Sequence, residues 1–499
     1  MSTSSKGLPM AAKWDPQKLA HDEQFLRDLE KKPLIARIRG YAKMTGPAWL
    51  QSAMTLGAGS AAASVMAGAS FGYKLLWVQP LAMLLGVVMF AALAKIVLNT
   101  GERPYRLFAR EVGWILAFLW ALGTIVASVI WHFPQYGLAG GAAWDLAQVF
   151  GAPADHPWLS YVVQFGIAFC ILEINIFTVW NYGSHSAGIK LYETFLRWVI
   201  RLVILAFLAV VILSKTNWLG VFWGFFGFYL PKDATGWTVV LGALGATVGI
   251  NMTFLYPYSL LAKGWGKYHQ GLAKWDLFSS MLIPYTIVTS LIVIAMANTV
   301  YDGQDVVNTN LKPVQAAAVF SQLMRSDIGR IILDLGFLAM TCGAISTHMV
   351  VCGFTMCEML GLEYTAKRFR LFALTPTIGV LGAALPSPLW MPVLASAICL
   401  TMLPVAYLTF FLMVNKRSVL GEALGKGPMR WAFNLALIAA IAVTTAGASI
   451  KIKTGAIDPI RKWLSPPTAS PAEQPRDQSP TTAASDSAQG TADPTTQRR

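Results

Sequence analysis

About eleven stretches of mostly apolar residues recur along this chain. Each is close to the ~20 residues that cross a bilayer as a helix, and this repetition leaves few folds open. They lie near 46–67, 75–99, 114–140, 158–180, 191–214, 237–262, 277–299, 331–360, 371–386, 389–414 and 431–450. Of the 499 residues 55% are hydrophobic and only 13% charged, where a soluble domain carries about 25% charge. The pattern excludes a soluble enzyme, a coiled coil and a disulfide scaffold. It predicts an all-α polytopic membrane protein.

The net charge of +14 tests the topology. With the N-terminus inside, segments 1–45, 99–113, 181–190, 263–275, 361–370 and 415–430 face the cytoplasm and hold 23 Lys and Arg. The opposite loops, 68–74, 141–157, 215–236, 300–330 and 387–388, hold 6. The positive-inside rule then predicts a multi-pass protein of the plasma membrane, N-terminus cytoplasmic and C-terminus outside. It also explains the basic excess with the lipid bilayer as partner and no nucleic acid. Residues 1–45 form a charged cytoplasmic segment without the apolar core of a cleavable signal peptide. Trp14, Phe25 and Leu34 among its Lys and Arg predict a short helix on the inner surface. A second surface helix is expected over Val314–Met324. Residues 46–450 make up the transmembrane domain, and 451–499 read as a disordered tail, rich in Pro, Ser, Thr and Gln towards its end. Cys170, Cys342, Cys352, Cys357 and Cys399 all fall in apolar stretches and read as buried free thiols.

Two stretches look interrupted. The first span runs Thr55-Leu56-Gly57-Ala58-Gly59-Ser60, small residues with two glycines. The sixth carries Gly242, Gly245, Ala246, Thr247, Gly249 and Asn251, then Pro257. The two occupy corresponding places if 46–214 and 237–414 are repeats, with an eleventh helix at 431–450. Paired glycine interruptions of this kind point to a transport site, because unwound backbone inside a membrane is tolerated only where it lines a cavity or is buried in protein. Close helix packing explains either stretch alone, but not the two in register.

Further blocks carry a resemblance. Gly46-Pro47 opens the first span, Ala67-Gly68-Ala69-Ser70-Phe71-Gly72-Tyr73 follows it, and Leu75-Leu76-Trp77-Val78 leads on. Ala94-Lys95, Thr100-Gly101, Lys190, Glu193, Ser214-Lys215, Trp218, Gly245-Ala246-Thr247, Gly336-Phe337-Leu338, Gly343, Ser346-Thr347, Leu403-Pro404 and Arg417-Ser418-Val419-Leu420-Gly421 come in order. From about 46 to 421 the chain resembles the Nramp family of proton-coupled divalent metal transporters. The resemblance implies the LeuT-like fold of amino-acid-transporter type, a 5+5 inverted repeat with helices 1 and 6 broken. It also implies sites: family members carry Asp-Pro-Gly-Asn in the first break, where this chain has Gly57-Ala58-Gly59-Ser60. They carry Met-Pro-His in the sixth helix, where it has Gly249-Ile250-Asn251. Ala246, which offers the metal a carbonyl in the family, is retained. The helix-ten Gln aligns with Ser396, and the acidic pair of helix three with His132 and Gln135.

The remaining candidates for a substrate site are therefore Thr55, Gly57, Gly59, Ser60, Ala246, Thr247, Gly249, Asn251 and Ser396, all neutral. Three readings fit. One is a secondary transporter of a divalent or hard cation, Mg²⁺-like rather than Mn²⁺ or Fe²⁺ because the Asp, Asn and Met ligands are absent. The second is a same-fold transporter of a small neutral or zwitterionic solute, and the third a non-transporting membrane sensor. His132, Gln135 and Glu173 are the candidate proton or ion relay, since ionisable groups inside spans are costly and functional by default. Glu193, Arg197 and Arg201 form a helical stripe that snorkelling explains. Cys342, His348, Cys352, Cys357 and Glu358 have the types of metal ligands but not the spacing. No phosphate-binding loop, cofactor motif or nucleophile–base set appears, so the chain reads as no enzyme and any transport as secondary.

Overall fold

Glycine and proline set where helices stop along this chain. The structure is a computed structural model that describes residues 16–44, 46–153, 156–181, 198, 201, 204–313, 315–317, 327–385 and 389–458. All regular structure among these residues is helical. In chain order the helices are α1 (Pro16–Glu30), α2 (Leu34–Tyr41), α3 (Ala48–Thr55), α4 (Ala58–Phe71), α5 (Val78–Thr100), α6 (Pro104–Glu111) and α7 (Trp114–Val149). Then come α8 (Pro157–Trp180), α9 (Ile204–Leu213), α10 (Trp218–Phe226), α11 (Ala234–Thr247), α12 (Ile250–Ala262), α13 (Gln270–Leu277) and α14 (Ile283–Thr299). The last are α15 (Ile328–Met359), α16 (Ala366–Ala373), α17 (Trp390–Leu400), α18 (Leu403–Val414) and α19 (Pro428–Ile452). Pro104, Pro157 and Pro428 open helices, where a missing N–H removes no hydrogen bond. Gly101 closes α5 in the left-handed region, φ 66°, which glycine enters without a Cβ penalty.

Among the described residues seven helical stretches are long and apolar enough to cross a membrane, counting α11 with α12 and α13 with α14 as one each, or eight if the pair α17–α18, bent by 42°, is one span. The expected first span is two short helices, broken at Leu56–Gly57. The expected fifth span survives in part as α9, and Glu193, Arg197 and most of Val314–Met324 lie outside the described residues. The stretch 371–386 differs from expectation. It holds the end of the basic helix α16 and then a ten-residue 3-10 helix, Thr375–Ala384, because Pro376 lacks the N–H that would continue α16. The tail boundary moves as well: α19 runs to Ile452 and a wide turn of helix continues over Lys453–Ile457. The rest of the tail lies outside the described residues. Within 1–45 the surface segment forms two helices, α1 and α2. Leu26 and Leu29 of α1 are buried, and Arg27 sits 4.0 Å over the Tyr268 ring. Cys170 is exposed, not buried, whereas the other four thiols are buried.

The packing is that of a membrane bundle turned outside-in. Only 28% of the apolar window of α8, and the same share of α19, is covered by protein. Trp158, Phe177, Trp431 and Leu435 point outward. Water does not tolerate such faces, and lipid does. Inside, α7 packs along α15 and the 3-10 helix, α11 along α17, and α4 along α14. Asp276 of α13 accepts from Ala48 N at 2.8 Å, satisfying an otherwise orphan donor at the start of α3.

Both ends of the bundle carry charge clusters. At the basic end, buried Glu358 of α15 meets Arg103 at 3.4 Å and Arg106 at 3.9 Å, and accepts from Tyr364 Oη at 2.8 Å. At the opposite end Asp305 accepts from Lys74 Nζ at 2.7 Å, Tyr301 Oη at 2.8 Å and Tyr229 Oη at 3.0 Å. Desolvation pushes the Asp305 carboxyl up, but the hydrogen bonds from Lys74 and the two tyrosines outweigh it and hold it below its ordinary value. A carboxylate held low stabilises the fold above its unfolded-state range and loses that contribution as pH falls through its lowered value. The pair is partly exposed, so the contribution is under about 1 kcal/mol. Asp305→Asn is therefore expected to lower the melting temperature slightly at neutral pH and to match the parent in strong acid. An equal deficit at both pH values would contradict this linkage.

Candidate functional site

The two breaks meet. In the first, Leu56 leaves helical geometry (φ −80°, ψ 38°) and Gly57 is extended (φ −90°, ψ −177°) before α4 begins. In the second, Val248 (φ −137°, ψ 99°) and Gly249 (φ −76°, ψ 157°) are both extended between α11 and α12. β-Branched and glycine residues resist helix, so both interruptions are written locally. Each break turns two helix ends inward: the carbonyls of α3 and α11 and the N–H groups of α4 and α12. The last carbonyls of a helix have no intrahelical partner and carry partial negative charge suited to a cation.

Between the breaks lies a cavity of ≈ 30 Å³, room for one or two waters or a bare ion. Gly57, Gly59, Ser60, Ala246, Gly249 and Asn251 line it, as does Gln135 of α7. These seven are the sequence candidates that the structure brings together. Five side chains that sequence reasoning did not assign to the site join them: Met54, Met252, Trp131, Ala344 and His348. The two methionines carry a recognisable signal, since each sits three residues from the glycine of its break. Trp131 and His348 carry none, because they reach the cavity from α7 and α15. None of the lining residues is Asp, Glu, Lys or Arg.

Hydrogen bonds orient this set. Asn251 Oδ1 accepts from Met252 N at 3.0 Å, so its Nδ2 is the atom 2.7 Å from His348 Nδ1. His348 Nδ1 is then the acceptor, and the neutral ring carries its proton on Nε2. His348 thus anchors the Asn251 carboxamide and offers the cavity an N–H rather than a lone pair. A Cβ at residue 249 would collide with Asn251 Oδ1, so glycine there is what lets Asn251 fold back over the break. Ser60 Oγ donates to Gly57 O at 3.0 Å and also bonds Thr55 O, which leaves its lone pairs free.

The other candidates stand apart. Thr55, Thr247 and Ser396 spend their hydroxyls on carbonyls one turn back, Gln51 O at 2.9 Å, Ala243 O at 2.6 Å and Pro392 O at 2.7 Å, a common fate of helical Ser and Thr. His132 lies behind the cavity wall. Its Nδ1 is 2.8 Å from Ser128 O, its Nε2 is buried without a partner among the described residues, and its ring centre is 5.6 Å from that of His348. Glu173 sits on the exposed face of α8, away from the cavity. Among the described residues no three His, Cys, Asp or Glu side chains group as a metal site.

Known proteins share this architecture. The divalent metal cation transporter MntH of Caldanaerobacter subterraneus is 22% identical over 404 residues, covering 77% of this chain and 87% of that protein. The Bacillus subtilis protein of the same name is 25% identical over 335 residues, covering 64% and 73%. The crystal structure of the Eremococcus coleocola manganese transporter in complex with an aromatic bis-isothiourea substituted compound superposes with a TM-score of 0.59. It does so at 17% identity, over 84% of this chain and 89% of that one, and so shows the same fold. The description of the natural resistance-associated macrophage protein-like family matches residues 48–449, nearly all of the membrane-embedded chain, and the protein belongs to the Nramp family.

Proposed function

We propose that this chain is a secondary transporter of a divalent cation, carried through a site without formal charge and with the basic end of the bundle in the cytoplasm. The observation that carries the reading is the ≈ 30 Å³ cavity at the meeting of the two breaks. Organic ligands occupy pockets of about 300 Å³ or more, so its size favours an ion over a zwitterionic solute. The names of the MntH relatives and of the manganese transporter point the same way. Asn251 Oδ1, Ser60 Oγ and the carbonyl of Ala246 are the oxygen donors, the Gly57 carbonyl being taken by Ser60 Oγ and Ala61 N, and His348 and Trp131 hold the wall. Neutral oxygen donors without a carboxylate favour a Mg²⁺-like ion that keeps part of its water. Met54 and Met252 support Mn²⁺ or Fe²⁺ as the second choice, because their thioethers supply a softness that the loss of the family's methionine had removed. His132 and Gln135, against His348, form the relay of this reading. Glu173 would need a different conformation to join it.

Calorimetry with Mg²⁺, Mn²⁺ and Ca²⁺ on the parent and on Gly57→Asp tests this. A Cβ at residue 57 would sit 2.9 Å from Met54 O, so the break must shift slightly to admit it. The added carboxylate is nonetheless expected to tighten divalent binding by about tenfold, or ~1.4 kcal/mol. No divalent binding or uptake by the parent, with none gained in Gly57→Asp, would overturn the cation reading.

A further inference from the structure

We infer that a second proton site lies at the outer end of the α7–α15 interface, where Asp145 and Asp334 share one proton beside Arg330. The inference deepens the transport reading but uses residues outside the cavity. Arg330 Nε donates to Asp145 Oδ2 at 2.8 Å, and its Nη2 bonds the other carboxylate oxygen. The guanidinium is thus committed to Asp145 in a two-point bond. Asp334 lies one helical turn beyond Arg330 on the same face of α15, with its carboxyl against that of Asp145. Both aspartates are wholly buried, and among the described residues no N–H or O–H donor of another side chain or the backbone reaches either oxygen of Asp334.

Counting charge settles what is missing. Two carboxylates face one guanidinium, and Asp327, the other charged group that acts on Arg330, is also negative. One negative charge is left over in a buried place, where it is costly. A metal ion would need about six oxygen ligands, and only one free carboxyl is available. A proton between two adjacent carboxyls needs no further space and removes the repulsion that otherwise keeps both from ionising. It gives Asp334 the donor and acceptor roles it now lacks.

The place is suited to coupling. The two helices run antiparallel, so Asp145 faces Asp334 at one level and His132 faces His348 at another. Asp334 is ten residues from Ala344 of the cavity wall, about 15 Å along the helix. In that interval Tyr136 Oη and Asn175 Oδ1 are buried without partners among the described residues, and Asn175 Nδ2 lies 3.3 Å from Cys342 Sγ. Buried polar atoms of this kind require something to bond. Ranged along one seam, they supply a polar way from the outer carboxyl pair to the cavity.

Infrared difference spectroscopy on the full chain in nanodiscs tests the site without reference to transport. At neutral pH the parent is expected to show the C=O stretch of a protonated carboxylic acid, lost in Asp334→Asn. That variant should keep the parent's melting temperature, since an amide mimics the protonated acid. Absence of the band in the parent, or its persistence in Asp334→Asn, overturns the proposal. So does a collapse of stability in Asp334→Asn, which would show an ionised Asp334 paired with Arg330. In proteoliposomes given Mg²⁺ or Mn²⁺, dye-reported proton flux should fall about tenfold or more in Asp334→Asn, and unchanged flux counts against the site. A parent that moves no cation would defeat the transport reading alone, while the infrared band would still decide this one.

Discussion

Replacing Gly59 by leucine is expected to abolish cation uptake and to cost the fold about 1–3 kcal/mol. Gly59 is the second residue of α4, and a Cβ there would collide with the Trp131 ring. That ring lines the cavity and lies stacked 6.4 Å from His348, which in turn holds Asn251. The indole has to swing, and its movement fills the cavity or frees His348 from the carboxamide it anchors. Uptake into proteoliposomes and the melting temperature are the readouts. Gly59→Leu with Trp131→Ala should recover part of the lost stability, because removing the ring removes the clash. Wild-type uptake in Gly59→Leu would show the break to be mere packing.

Glu358→Ala is expected to loosen the basic end of the bundle. The Glu358 side chain is 1% exposed and that of Arg103 13%, so the carboxylate that links the segment after α5 to the end of α15 is almost dry. Removing one partner of a buried pair costs about 3 kcal/mol, more than the same change at the exposed Lys74–Asp305 contact. Tyr364 loses its acceptor in the same step. Cys357, buried next to Glu358, then becomes open to maleimide, read residue by residue by mass spectrometry. Glu358→Gln keeps the tyrosine bond and should fall between. Unchanged Cys357 labelling together with an unchanged melting temperature in Glu358→Ala would rule out a latch at this end.

What the sequence made legible is what backbone chemistry decides. The breaks at Gly57 and Gly249 come from residues that resist helix, and they stand where expected. Helix starts at proline behave likewise. Side-chain direction was less legible, because a span apolar on all sides gives no amphipathic face to read. Glu173 is a relay candidate by its ionisable type within a span, and the structure places it on an exposed face. Thr247 and Ser396 have the donor types of a site but bond their own helices, a choice that composition does not reveal. His348 and Trp131 join the cavity through tertiary packing of α7 and α15 on the broken helices. The stretch 371–386 was read from its apolar content alone, whereas Pro376 and 3-10 geometry shape it.

The absence of Asp, Glu, Lys and Arg from the cavity wall has an electrical consequence. Under the proposed divalent-cation reading, an empty carrier with such a wall returns across the membrane with no charge in its site, whereas the bound ion adds two positive charges to the loaded one. Each charge crossing the full potential is worth about 2.3 kcal/mol per 100 mV, so the loaded step would respond to voltage with about twice that and the return step would not respond at all. The resulting current is expected to rectify: an inside-negative membrane accelerates inward delivery without slowing the recovery of the empty site.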